Sequence, residues 1–410
     1  MINTKGFRKL LSFLGPGFLI TVGFVDPGNW ATNIESGSRF GYSLLWVITL
    51  STVMLMVVQH MAAKLGIATG KSLAVNIREH FPKGISALIG VTVVLACVAT
   101  DVAELLGGAI GFQLFLGFPL YLGALLTVLL EVFLIVGQRY HKLERIIIGF
   151  LGIITLCYVA ELVIVKPDWG AAISSFFIPK LDGSSIFVAM AMLGAVVMPH
   201  NIFLHSNVIH SRKWGIDDKE KLSLLHYERI DTTTALSLGL VVNGAMVIVS
   251  ARVFHANGIV VTSIANASQT LTPLAGRMAT LLFAVALVFS GVGSSITSSM
   301  AEVNVITGFL GKPEDPRTLL YKVATFVTAI PSFLIILIGM DTYKILILSQ
   351  VVLSIQLPFT LIPLLILCRR RSLMRVFRSN TTEFIAMILI SSMIIFLNIF
   401  LLVSTLKGGV

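Results

Sequence analysis

Apolar residues run along this chain in blocks of about twenty, cut by short polar breaks. Taken in order they fall at about 12–33, 42–65, 86–116, 118–138, 145–166, 185–210, 233–254, 278–308, 319–339, 343–368 and 383–406. A helix rising 1.5 Å per residue needs about twenty such residues to cross a bilayer, so the pattern predicts eleven transmembrane helices. The connections are neither long nor polar enough to separate two folded bodies. Residues 1–410 read as a single all-α, polytopic membrane domain.

Two blocks are interrupted. In the first, Asp26-Pro27-Gly28-Asn29 places a carboxylate in would-be lipid and follows it with a residue lacking an N–H and one that favours no helix. In the sixth, Ala195 to Asn201 reads Ala-Val-Val-Met-Pro-His-Asn. A helix break at membrane depth is tolerated only where the freed backbone groups are buried in protein or line a polar cavity. The two breaks lie five spans apart, and an odd number of helices per repeat inverts the second copy. The expected architecture is two inverted five-helix repeats, about 12–166 and 185–368, whose broken helices 1 and 6 meet near the midplane, with an extra helix at 383–406.

Composition agrees: the 410 residues are 56% hydrophobic and 12% charged, with a mean hydropathy of +0.93. The net charge of +10 is distributed by side. Alternate loops, beginning with the N-terminus, carry Lys5, Arg8 and Lys9, then Lys71 and Arg78, Arg139 and Lys142, Arg212 to Lys221, Lys312 and Arg317, and the cluster Arg369 to Arg378. The opposite loops carry little beyond Arg39, Lys166, Lys180, Arg252, Arg277, Lys344 and Lys407. The positive-inside rule then puts the N-terminus in the cytoplasm and, after eleven spans, the C-terminus outside. Basic charge placed this way calls for no nucleic-acid partner. Met1 to Leu11 with the span after it reads as a retained first helix, since no cleavage signature follows. Cys97, Cys157 and Cys368 are scattered in apolar segments and suggest neither a disulfide framework nor a thiolate site. No zinc-protease, serine-hydrolase or phosphate-cradling motif occurs, which argues against an enzyme or a nucleotide-driven pump.

The breaks carry the chemistry. Asp26 and Asn29 offer hard oxygens and Met198 a thioether, a pairing that favours Mn²⁺, Fe²⁺, Co²⁺ or Cd²⁺ over Ca²⁺ and Mg²⁺. Met198 has a second reading as apolar filler, and only its place before Pro199 sets it apart from the other methionines. Asp101 and Glu104, three residues apart, share a helix face and suit a proton relay; a structural cluster with a basic partner such as Lys322 is the alternative. His200 beside the break is either a proton acceptor or a cap on freed carbonyls, and His205 lies further along the same path. Glu131 and Glu161 read as buried hydrogen-bonding groups without an assigned function.

Asp26 to Asn29, Met198 to Asn201 with His205, Thr100 to Glu104, and Ser349-Gln350 with Gln356 to Phe359 together resemble the natural resistance-associated macrophage protein (Nramp) family, over nearly the whole chain. The resemblance implies a LeuT-like fold and proton-coupled import of Mn²⁺ or Fe²⁺, with Cd²⁺ and Co²⁺ as further substrates. It implies metal ligation by Asp26, Asn29, Met198 and the Ala195 carbonyl, joined in some conformations by the Gly23 carbonyl and the Gln350 amide. Protons are expected to move through His200, His205, Asp101 and Glu104; no cofactor is expected, and the working unit is expected to be a monomer. The chain departs from the family pattern across Ala301 to Phe309, where Glu302 and Asn304 stand, and at Lys322 and Thr325, where arginines are common. A Mg²⁺ transporter of a related branch, or a passive metal channel of the same fold, is the alternative function; Met198 argues against the first, and a single occludable site against the second.

Overall fold

A computed structural model describes residues 12–406 apart from 138–139, 213–216, 262, 316 and 340–341. The tail bearing Lys5, Arg8 and Lys9, and also Arg139, Lys213 and Lys407, lie outside the described residues. Every regular element among the described residues is helical. The first apolar block forms two helices, α1 (Pro16–Phe24) and α2 (Pro27–Phe40), followed by α3 (Leu45–Thr69), the short α4 (Leu73–His80), α5 (Lys83–Leu116), α6 (Leu120–Gly137) and α7 (Tyr140–Val165). After the short α8 (Trp169–Ser175), the sixth block is again two helices, α9 (Ile186–Val196) and α10 (Pro199–Val208). Then come α11 (Asp218–Val253), α12 (Ile264–Leu310), α13 (Leu319–Leu337), α14 (Thr342–Arg369) and α15 (Thr381–Leu406).

Among the described residues nine stretches are long and apolar enough to cross a bilayer, counting α9 and α10 as one, and Leu120–Val136 is a shorter tenth. The eleventh expected span is the first; its halves have 9 and 14 residues, each too short alone. Two boundaries differ from the sequence expectation. α11 begins at Asp218 rather than near 233, because the polar stretch before the apolar block continues the helix, with Glu228, Asp231 and Thr232 buried against protein. α12 begins at Ile264 rather than 278, but is kinked at Gly276, whose φ of 87° is open to glycine and strained for other residues. The apolar block corresponds to the part after that kink.

α12 lies along α5 and also reaches α1 and α7, while α11 packs on α1, α2 and α3. In the second broken span α9 packs on α2, α3 and α15, and α10 packs on α3 and α12, so long helices flank both breaks. Trp30, Phe24 and Phe203 are the largest fully buried side chains, and Trp30 meets Tyr158 and Phe283 edge-on with centroids 5.3 Å apart. Large apolar side chains such as Leu129, Phe133, Leu156 and Phe396 point outward, as lipid-facing surfaces do.

The α5–α12 crossing depends on small residues, because apolar burial drives no association in lipid and close backbone contact must supply it. A Cβ on Gly291 would sit 2.3 Å from the Gly108 nitrogen and 2.6 Å from its Cα, both rigid helix backbone. Gly291→Val is expected to push α5 and α12 apart at a cost of about 1–3 kcal/mol. Thermal unfolding of the detergent-solubilised protein, followed by tryptophan fluorescence, should show a lower midpoint; an unchanged midpoint would mean the crossing is loose.

Candidate metal centre

The first break is built by Asp26 capping the helix that follows it. Its backbone is extended (φ −82°, ψ 162°), and its carboxylate accepts from the Gly28 N–H at 2.9 Å and the Asn29 N–H at 3.3 Å. Pro27 follows at the first helical position, where its missing N–H would find no intrahelical partner anyway. The carbonyls released upstream are taken by side chains. The Asn29 amide donates to the Phe24 carbonyl at 3.1 Å, and the Ser290 hydroxyl on α12 donates to the Val25 carbonyl. Both carbonyls are thereby capped.

The second break copies the first. Val197 and Met198 are extended, Met198 precedes α10 as its cap residue, and Pro199 opens the helix. Met198 cannot cap with a polar side chain, so its sulfur stays available. It accepts from the Asn201 amide at 3.8 Å.

The breaks touch each other. Asn29 Nδ2 lies 2.5 Å from Asp26 Oδ1 and 3.4 Å from the Ala195 carbonyl oxygen, crossing from one break to the other. A Cβ on Gly23 would fall 2.4 Å from the Asn201 amide nitrogen, so the α1 backbone presses on the residue that holds the Met198 sulfur. A Cβ on Gly28 would fall 2.4 Å from the Gln350 amide nitrogen and 2.8 Å from Asp26 Oδ2, which sets Gln350 of α14 beside the carboxylate. The structure thus gathers all six expected residues, Asp26, Asn29, Ala195, Met198, Gly23 and Gln350, at the junction. Asp26, Asn29, Ala195 and Met198 are no more than 2% exposed. Among the described residues no group of three or more His, Cys, Asp or Glu side chains is placed to hold a metal. A cation at this junction would draw on one carboxylate supplemented by amide, carbonyl and thioether atoms.

The expected proton groups lie on α5 and α10. His200 Nδ1 is 3.4 Å from the Thr100 hydroxyl on α5, the residue before Asp101, and His205 is fully buried on α10. Asp101 and Glu104 are fully buried and share a face of α5. Lys322 is exposed on α13 and makes no ion pair with either, so the basic-partner alternative fails. Instead the Thr328 hydroxyl bridges Asp101 Oδ2 and Glu302 Oε2. A hydroxyl has one hydrogen to give, so the two carboxyls share a single donor. Glu131 accepts from both Ser295 and Ser299, in keeping with its expected hydrogen-bonding role. Glu161 does not fit that expectation: it is fully buried, and neither oxygen has a hydrogen-bond partner among the described residues. Sequence reading missed Asn201, Ser290 and Thr328 as parts of this region. Asn201 was visible as the residue one turn after Met198; the other two are hydroxyls in apolar helices and carry no signal of their own.

The sequence profile described as "Natural resistance-associated macrophage protein-like" matches residues 17–404. The divalent metal cation transporter MntH of Caldanaerobacter subterraneus is 40% identical over 406 residues, covering 98% of this chain and 95% of that protein. The protein of the same name from Deinococcus radiodurans is 39% identical over 408 residues, covering 98% and 92%. The crystal structure of the Eremococcus coleocola manganese transporter, in complex with an aromatic bis-isothiourea substituted compound, superposes with a TM-score of 0.89 at 28% identity, covering 99% of this chain and 89% of that one. Mhp1, a nucleobase-cation-symport-1 family transporter, shares the fold at 15% identity with a TM-score of 0.63, covering 96% and 93%. Two facing helix breaks with an Asp-Pro-Gly-Asn cap on one and a Met-Pro-His-Asn turn on the other, within a profile that spans nearly the whole chain, make this protein a member of the Nramp family of membrane transporters, not an enzyme.

Proposed function

We propose that this chain imports divalent transition-metal ions, Mn²⁺ or Fe²⁺ with Cd²⁺ and Co²⁺ also accepted, into the cytoplasm in company with protons, working as a single chain. Residues 12–166 and 185–368 act as inverted repeats that rock about the junction of their broken helices. The end bearing Arg212, Lys221 and Arg369 faces the cytoplasm, in keeping with its basic loops. The observation that carries the reading is the Asn29 amide spanning both breaks, between the Asp26 carboxylate and the Ala195 carbonyl.

That amide has two hydrogens and three acceptors, Phe24 O, Asp26 Oδ1 and Ala195 O. It is a substitute cation. A metal ion entering from the Met198 side takes over Asp26 Oδ1 and the Ala195 carbonyl, and Asn29 turns to offer its oxygen. The ion loses water as it enters a buried pocket, and the Asp26 charge offsets that loss. The Met198 thioether adds selectivity against Ca²⁺ and Mg²⁺, which bind sulfur poorly and lose more by giving up water for it.

The cytoplasmic approach is shut by paired groups. The Arg212 guanidinium grips Glu144 through both nitrogens at 2.6 and 3.1 Å and binds the Phe13 and Leu14 carbonyls, while Asp231 accepts from the Gly15 and Gly17 N–H groups at 3.0 and 2.7 Å. α1 must leave these contacts for an ion to pass inward. Protons are received by His200 and by the Asp101–Glu104 face, where the carboxyls lie within reach of the metal's field.

Asp26→Asn removes the carboxylate charge at the junction and is expected to weaken Mn²⁺ binding by about 3 kcal/mol or more, on the order of 100-fold, with uptake abolished. Calorimetric titration of the purified variant checks this; wild-type affinity would remove Asp26 from the site. Met198→Ala is expected to cost selectivity more than capacity. In proteoliposome uptake of Mn²⁺ against excess Ca²⁺ or Mg²⁺, competition should strengthen by about tenfold, and unchanged competition would return Met198 to core filler. Glu104→Gln keeps the shape but not the titrating group. It should carry Mn²⁺ down its gradient while an inward proton gradient no longer speeds uptake; acceleration equal to wild type would make this face structural.

A further inference from the structure

His205 lies two turns beyond Met198 on α10, about 10 Å along the helix. Its Nε2 is 3.5 Å from the Thr232 hydroxyl and 4.0 Å from Glu228 Oε1, both on α11. Thr232 donates its one hydrogen to Glu228 Oε1 at 2.9 Å, so its lone pairs are free to accept from the His205 N–H. The other Glu228 oxygen is 2.7 Å from His60 Nδ1 on α3, and His60 Nε2 is 3.0 Å from Arg229 Nη2. A guanidinium only donates; hence Nε2 accepts, and Nδ1 carries the ring hydrogen that goes to Glu228. Side-chain exposure rises along this line from 0% at His205 and Glu228 to 13% at His60 and 59% at Arg229. Beyond it, Lys64 on α3 pairs with Glu383 on α15 at 2.7 Å, and Glu383 is 4.0 Å from Arg229. Asp231, the remaining charged group nearby on α11, is engaged by the N-terminal backbone of α1.

We propose that Glu228, linked to His205 through the Thr232 hydroxyl and to water through His60, is the exit station for protons leaving the transport path, with the Arg229 guanidinium as its stopper. The inference rests on the proton-coupled reading above. A structural ion pair would need only Glu228 and one histidine. The hydroxyl bridge on one side, the second histidine on the other and the graded exposure make a continuous line from the buried helix to the surface. Doubly protonated His205 gives its Nε2 proton to the Thr232 oxygen as that hydroxyl passes its own proton to Glu228 Oε1, leaving neutral imidazole and a carboxylic acid whose rotation turns the new O–H from the Thr232 side to the His60 side. While the guanidinium occupies His60 Nε2, the next hop is closed. When Arg229 moves off toward Glu383, the Nε2–H tautomer becomes available. Nδ1 then accepts the proton from Glu228, Nε2–H releases one to water, and the ring returns to the Nδ1–H form seen here.

The test uses the full-length protein in proteoliposomes, oriented with Arg229 facing a lumen that holds a pH dye, with Mn²⁺ added outside. Glu228→Gln and Thr232→Val, the second nearly isosteric and kept as a guard against misfolding of the first, should take up Mn²⁺ down its gradient near the wild-type rate. Lumen acidification per Mn²⁺ should fall by on the order of tenfold or more. Arg229→Gln should leak protons without metal. Wild-type acidification per Mn²⁺ in both Glu228→Gln and Thr232→Val, with Glu104→Gln impaired, overturns the exit station alone. Parallel loss of Mn²⁺ uptake and acidification in both variants assigns these residues a structural role and also overturns it. A wild-type protein that shows no Mn²⁺-driven acidification overturns the coupling itself, and the exit station with it.

Discussion

A backbone group freed inside a membrane has no water to turn to, and this constraint shapes the centre of the molecule. Each break releases carbonyls and N–H groups at a depth where every one needs a partner from the same chain. Around Asp26 the solution is a ring of short contacts: the carboxylate takes the N–H groups of Gly28 and Asn29, Asn29 takes the Phe24 carbonyl, and Ser290 takes the Val25 carbonyl. Asn29 has more acceptors than hydrogens, so the ring closes incompletely.

The same economy applies to the buried carboxyls. Asp101, Glu104, Glu131 and Glu302 are all fully buried, and no Lys or Arg is among their partners in the described residues. Hydroxyls of Thr328, Ser295 and Ser299 stand where a basic residue would otherwise balance the charge. Thr328 has a single hydrogen for two carboxyls, so this cluster is short of donors. The departure at Glu302 thus adds an acid to the expected Asp101–Glu104 face, while Asn304 turns away from it to bind Glu314 alongside Asn207.

Much of the centre was legible in the sequence because its signals are local. Pro27 and Pro199 each follow an extended residue and open a helix, and the polar residues beside them in the chain mark the two breaks. The apolar blocks likewise predicted the helices, with errors where helices continue beyond lipid, as at Asp218, or bend at a glycine, as at Gly276. What stayed illegible depends on packing between helices distant in the chain. Lys322 was a reasonable partner for Asp101 by composition, yet its place on the turn of α13 points it outward and Thr328 inward. Glu228 sits before the apolar block of α11 and reads as a surface residue; only the packing of α3 and α10 against it makes it buried and joins it to two histidines. Ser290 gave no warning because a serine in an apolar helix usually bonds its own backbone.

The central claim is that a transition-metal ion sits between the two breaks, on Asp26, Asn29, Met198 and the Ala195 carbonyl. Anomalous scattering from crystals grown with Mn²⁺ tests it most directly. The account predicts one strong peak in contact with both the Asp26 carboxylate and the Met198 sulfur, with the Asn29 oxygen turned toward it. A peak lodged instead among Asp101, Glu104 and Glu302, with the junction of the breaks unchanged, would contradict it.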